Sequence, residues 1–400
     1  MRSIITLALA LSATFTSFAQ WVPLTTGQLS NRSMTNDGTA NYVAAYTHGV
    51  NKALNGSSTW GLVNTGLPMS GSTVYVQSVG WNGSYLFAGT ESGIYRSNNG
   101  GSNWTAANGT LTASSTVYAN KFYTFGGITM AAFAGTIAAG GGVYRTNNNG
   151  NTWNIGHSGM GSNVEVYNLT NVGTTLWAST STGLWKSIDN GLNWSAWAPV
   201  NYTVYAFTSW GTRLVIISTF GIRYSTDGGT VWTDATGDVN NPTKGELIAF
   251  DGKVFALLPA PTGCARSLDG GATWTAYNTG FSVVDAQAQE EFYDIGYNLY
   301  CTALFDVYSI TGTSTSVQEA LVGGLRIAPT VFTEGFTLVG APAGELRLID
   351  AVGRTARSMA INANDNTWID RGDLANGTYQ VLVIDRTSGV AQHIGRVVAY

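Results

Sequence analysis

Three glutamates, Glu165, Glu246 and Glu291, stand at matching places in a series of short apolar segments. Each directly precedes a pair such as Val166-Tyr167, Leu247-Ile248 or Phe292-Tyr293. Other segments hold Thr73, Thr116 and Thr203 at that place. Carboxylates that converge on one point can act as acid and base, or ligate a cation. Cleavage of a glycosidic bond needs two of them at a fixed separation. The same residues equally suit solvated polar groups at strand starts. Other chemistries find less support. His48, His157 and His393 are scattered, and with two cysteines they make no zinc spacing, so no metal or other cofactor is expected. The glycine clusters precede strands and not helices, which argues against phosphate loops and dinucleotide fingerprints. Cys264 and Cys301 fall in strand-like segments and fit either a disulfide or two small buried apolar groups.

The elements that must hold these residues follow from composition. Only 10% of the 400 residues are charged, 12% are aromatic and 50 are glycine. Such a chain suits many short strands and tight turns, and is the reverse of a disordered one. A net charge of −4 offers no basic footprint for nucleic acid. Residues 1–19 read as a signal peptide, with Arg2 ahead of an apolar run from Ile4 to Phe18 and small residues at Ser17 and Ala19. Cleavage before Gln20 is expected. No second long apolar run follows, so no membrane span is expected in the mature chain.

An internal repeat organises the middle of the chain. Five segments share one template: SNNGGSNW from Ser97, TNNNGNTW from Thr146, SIDNGLNW from Ser187, STDGGTVW from Ser225 and SLDGGATW from Ser267. A worn copy, ALNGSSTW, ends at Trp60, and the tryptophans recur at intervals of 44, 49, 41, 38 and 42 residues. That spacing suits one four-stranded propeller blade per repeat. Asn or Asp at the third position (Asn99, Asn148, Asp189, Asp227, Asp269) can bond its own backbone two residues on, and Gly at the fifth permits the reversal. The tryptophan (Trp104, Trp153, Trp194, Trp232, Trp274) then opens an outer strand and covers apolar surface. The last copy supplies three strands and lacks its tryptophan. Trp21-Val-Pro-Leu resembles the outer-strand segment at Trp60, so the N-terminal strand is expected to close the last blade.

These segments resemble the BNR or Asp-box family, found in sialidases, sortilin-type receptors, some endoglucanases and a photosystem II assembly factor. The resemblance implies a seven-bladed β-propeller over residues 20–311. It also implies that Asn99, Asn148, Asp189, Asp227 and Asp269 are structural and lie away from the usual ligand face. A sialidase would need three arginines on the substrate carboxylate. Of Arg32, Arg96, Arg145, Arg213, Arg223 and Arg266, four repeat on third strands beside the turn, which reads as a solvated face and leaves only Arg32 and Arg213.

Beyond a polar linker at 312–324, residues 325–400 show strands around Phe336, Glu345–Ile349, Asn366–Ile369, Tyr379–Ile384 and Ile394–Val398, which suits a small antiparallel β-sandwich. Leu346-Arg-Leu-Ile-Asp-Ala-Val-Gly-Arg354 and Ile369-Asp-Arg-Gly-Asp-Leu-Ala-Asn-Gly-Thr-Tyr379 resemble two elements of the type A C-terminal sorting domain of the type IX secretion system. The family's Pro-Asn-Pro reads Ala328-Pro329-Thr330 here, and its terminal basic residue is replaced by Ala399-Tyr400. The expected whole is an exported binding or scaffold protein whose partners are the type IX machinery and a glycan or protein ligand. The loops 109–115 and 280–290 would supply part of the contact face. The alternative is a polysaccharide-active glycoside hydrolase using channel carboxylates.

Overall fold

The computed structural model describes residues 21–27, 30–111, 118–197, 199–239, 244–287, 289–295 and 298–311. Towards the C-terminus it describes 326–328, 331–332, 335–339, 343–349, 355–362, 367–375, 377–386 and 391–399. The expected signal peptide, the linker, Thr116 and the 350–354 part of the first sorting element lie outside the described residues.

Among the described residues up to 311, seven sheets each run antiparallel from an inner strand through two more to a short outer one, and in the sixth Thr236–Gly237 adds a parallel strand outside Thr273–Ala276. The inner strands are Asn31–Asn36, Val76–Trp81, Ala119–Phe125, Val166–Val172, Val204–Trp210, Glu246–Phe250 and Gln289–Ile295. Each packs against the next, and the last packs against the first, so the sheets form a closed β-propeller around a central channel. The strands are near-continuous apolar runs where both faces are covered by neighbours. Ala40–Ala45 and Leu86–Thr90 are buried throughout. The last sheet is built from both ends of this region: Val22 pairs with Ser309 and Pro23 with Tyr308. Trp21 is fully buried there and donates from Nε1 to the Tyr277 carbonyl at 2.9 Å.

The repeated turn works through three groups. In the third copy the Ser187 hydroxyl bonds Asp189 at 2.8 Å and accepts the Gly191 N–H at 2.9 Å. Asp189 Oδ1 accepts the N–H groups of Leu192 and Asn193, three and four residues on. Sequence reading placed this bond two residues on; the wider reach caps the whole reversal. Gly191 sits at φ 77°, where only glycine is unstrained. Burial is the largest single influence on Asp189 and opposes its charge, but the hydrogen bonds from the Asn193 backbone, the Asn193 side chain and Ser187 together bring its pKa down to about 2. In the Asn99, Asn148, Asp227 and Asp269 turns the same side-chain oxygen accepts the N–H four residues on, and in the two aspartate copies also the N–H three residues on.

Three of the five tryptophans join sheets and do not merely cover their own hairpins. Trp104 Nε1 donates to Val63 O, Trp153 to Ala107 O and Trp194 to Gly156 O, all in the preceding sheet. Two differ: Trp274 Nε1 donates to the Gly271 carbonyl of its own turn at 2.9 Å, and Trp232 is half-buried, its Nε1 without a partner among the described residues. A second device escaped the sequence reading. Asn64, Asn108 and Asn278, four residues after a tryptophan, accept the N–H of Val50, Ile94 and Cys264 and so tie the sheet's exit to the start of its third strand.

Cys264 and Cys301 are free thiols in one apolar cluster. Burial pushes both well above the ordinary thiol value.

The C-terminal part forms two sheets, one of three strands and one of five. Phe336, Leu338, Leu346, Leu348, Ile369, Tyr379, Val381 and Val397 from both sheets share one core. Sequence reading found five of these strands and missed Arg326–Ala328, Val331–Phe332 and Thr355–Ile361. The last is an exposed strand with little apolar alternation. No helix among the described residues is long and apolar enough to cross a membrane.

Candidate functional site

Six of the seven inner strands carry a β-bulge near their start, where two residues face one on the second strand. The bulge separates a mouth layer from a deeper one. Register places Ser33, Ser78, Lys121, Asn168, Ala206, Glu246 and Glu291 at equivalent positions in the deeper layer. The bulge corrects the sequence alignment of the three glutamates. Val166-Tyr167 precedes its bulge whereas Phe292-Tyr293 follows one, so Glu165 stands three positions outside the layer of Glu246 and Glu291. Glu165 bridges Thr136 and donates its N–H to Ser181 Oγ at 3.0 Å, on the rim.

Glu246 and Glu291 do meet, and a cation that the sequence did not single out lies between them. Lys121 Nζ reaches across the channel to Glu246 Oε1 at 2.7 Å and Glu291 Oε1 at 3.1 Å. The remaining oxygens accept backbone N–H groups, Glu246 from Phe292 at 2.5 Å and Glu291 from Met34 at 3.3 Å. All three side chains are at most 18% exposed. Burial opposes the Lys121 charge, but the two carboxylates overcome it and raise its pKa above the ordinary lysine value. For Glu291, burial and the neighbouring Glu246 push upward against the pull of Lys121, and the net direction is up.

This triad divides the channel. On the mouth side lies a cavity of about 400 Å³, within the range of small-ligand sites, lined among others by Arg32, Gln77, Tyr167, Tyr205, Gln289 and Glu290. On the far side lies one of about 610 Å³ reaching Tyr123, Thr208 and Asp294. Lys121, Asn168, Glu246 and Glu291 line both. In the mouth, Arg32 bonds Gln77 Oε1 and lies 3.9 Å from the centre of the Tyr46 ring. The Tyr167 and Tyr205 rings stand 5.6 Å apart.

The arrangement bears on chemistry directly. A glycosidase acid must hold a proton to give to the leaving oxygen. The Lys121 ammonium on one oxygen of each carboxylate, with a backbone N–H on the other, occupies the oxygens that would face substrate. Nor do Arg32 and Arg213 converge: Arg213 bonds the Asp269 carbonyl at a hairpin, while Arg32 is at the mouth. Three of the four repeated third-strand arginines, Arg96, Arg223 and Arg266, lie over tyrosines, as Arg266 does 4.3 Å from the Tyr277 ring centre, and are less solvated than their placement implied. Among the described residues no cluster of His, Cys, Asp and Glu could hold a metal ion.

The loop 280–290 leads to this end, where Gln289 and Glu290 line the mouth cavity. Asp285 is buried and accepts from Phe305 N at 2.7 Å and Tyr308 Oη at 2.8 Å. Val283, Val284 and Phe305 are left exposed beside it. Residues 112–117, most of the other expected loop, lie outside the described residues.

No protein-family model matches the chain, and no curated protein matches it. Solved structures do. YCF48 bound to D1 peptide aligns over 74% of this chain and 98% of its own, at 15% identity and a TM-score of 0.53. The extracellular domain of a one-component system from B. thetaiotaomicron aligns over 94% of this chain at 13% identity and 0.59. An ancestral GH74 enzyme aligns over 94% at 15% identity and 0.54. The chain spans 52% and 63% of the latter two, respectively. At these identities the likeness concerns the fold alone, and the fold that the chain shares with them is the β-propeller.

Proposed function

We propose that this is a secreted or cell-surface binding and scaffold protein that holds a glycan or protein ligand at the channel mouth. Its seven sheets would be the seven blades of an Asp-box propeller at 20–311. Residues 1–19 would direct export, and the sandwich at 325–400 would be the address read by the type IX machinery. The observation that carries the binding reading is the Lys121–Glu246–Glu291 triad. It engages the oxygens of the two channel carboxylates and floors a cavity that mixes tyrosines, amides and both signs of charge.

The hydrolase reading rests on the same two carboxylates standing side by side. Screening the full chain on a glycan array, while assaying those polysaccharides for reducing-end release, separates the two. Binding without release is the expected result. Release that disappears in Glu246→Gln/Glu291→Gln would replace the binding reading with the hydrolase. For the address, a chain lacking 325–400 is expected to accumulate in the periplasm of a type IX host while the intact chain reaches the surface. Equal surface delivery of both would remove the sorting assignment.

A further inference from the structure

We propose that the mouth cavity recognises the end of a neutral glycan chain, with Gln289 as its principal hydroxyl partner. This rests on the binding reading above and commits it to one ligand class. Gln289 is only 9% exposed and lines the cavity, yet neither its Oε1 nor its Nε2 has a hydrogen-bond partner among the described residues; both atoms are closed to solvent in this conformation, so the side chain must turn into the cavity to meet a ligand. The corresponding amide on the neighbouring inner strand is used structurally: Asn31 Nδ2 donates to the Ala303 carbonyl. A buried amide that does not hold the fold together is costly unless something else completes it. On the cavity floor Asn168 Oδ1 is likewise buried without a donor.

What completes these groups follows from their chemistry. A primary amide offers donors and acceptors together, the pattern that sugar hydroxyls match because each hydroxyl both gives and accepts. The tilted Tyr167 and Tyr205 rings supply apolar faces for the C–H side of a pyranose. Ionic ligands are not favoured, because the charges lining the cavity cancel: Arg32, Lys121 and Lys244 against Glu246, Glu290 and Glu291. Moreover, Lys121 is neutralised by its carboxylates, and Arg32 is taken up by Gln77 and Tyr46.

The triad also decides how a polymer can approach. Lys121 bridges from one side of the channel to the other directly beneath the cavity, so a chain cannot thread through, and only its terminus can enter.

Isothermal titration of the full chain tests this, using methyl glycosides of the neutral hexoses, their trisaccharides and the parent polysaccharides. The expected result is binding of the short ligands, with polymer stoichiometry following the number of chain ends and not the mass. Gln289→Leu should weaken binding by about tenfold or more while leaving the melting temperature unchanged or higher, because leucine removes an unsatisfied amide. A merely structural Gln289 would lower the melting temperature instead, and that outcome overturns the assignment. Binding that follows polymer mass, or survives Gln289→Leu, overturns end recognition while leaving a glycan-binding propeller. A protein or anionic ligand lost with Gln289→Leu overturns the neutral-sugar class but keeps the mouth as the site. A chain that binds neither any glycan on a broad array nor a protein partner removes the binding reading as well.

Discussion

Lys121→Met is expected to destabilise the propeller by about 3–5 kcal/mol at neutral pH, because it leaves two buried carboxylates facing each other without their cation. The loss should be pH-dependent, and its sign follows from the direction of the carboxyl shifts. Glu291 already has a raised pKa in the intact protein, and removing Lys121 takes away the influence that pulled it down. A carboxyl whose folded pKa lies above its unfolded value takes up protons more readily when folded. Its favourable contribution is therefore complete below the unfolded pKa and disappears as pH rises through the folded one. Urea unfolding of Lys121→Met should accordingly approach that of the intact protein in mild acid and diverge from it towards neutrality. Adding Glu246→Gln and Glu291→Gln should restore most of the loss at neutral pH, since no charge is then left buried. A variant of unchanged stability at neutral pH would mean that the ion triad is not formed in solution.

Trp21→Ala should cost about 3–5 kcal/mol, the range for deleting a buried tryptophan from a close-packed core. Trp21 is packed 4.9 Å from the Phe281 ring centre and stacks towards Phe292, and its backbone N–H donates to the Thr279 carbonyl at 2.9 Å. Opposite it, Gly280 adopts φ 106°, and a Cβ there would stand 2.0 Å from the Trp21 carbonyl oxygen. Gly280→Ala therefore attacks the same seam from the other side, through strain and through a backbone clash. Both variants should be cleaved by protease near the N-terminus under conditions that spare the intact protein. Resistance of both would mean that the seam is not what closes the ring.

The ring of sheets was legible because its signals are local. A serine, an asparagine or aspartate, a glycine and a tryptophan at fixed offsets dictate a hairpin wherever they occur, and the structure places such a hairpin at every complete copy. The N-terminal closure was legible too, through the likeness of Trp21 to Trp60 and the three-strand last copy. The channel was less so. Val-Tyr pairs were aligned by residue type, yet a bulge inserts one residue before the channel layer, and Glu165 consequently left the set that Glu246 and Glu291 share. Lys121 carried no signal, because its position holds serine, asparagine, alanine or glutamate in other sheets and only the ring's closure brings it to its carboxylates. Gln289 was invisible for a different reason: an unsatisfied amide is a property of its surroundings, and nothing about a glutamine before two glutamates announces it.

The hybrid last sheet has a consequence for the timing of folding. Trp21 finds the Tyr277 carbonyl 256 residues further along the chain, and Val22 finds Ser309 later still. The closure entropy of so long a loop rises only logarithmically with length, so the finished ring pays little for the arrangement. The rate is another matter, since distant pairings slow the search. A chain emerging N-terminus first must carry Trp21 and Val22 unpaired until the residues of Val307–Thr311 have followed. Sheets between them can form one after another, but the circle is completed in a single late event that joins the first described strand to the last of the ring.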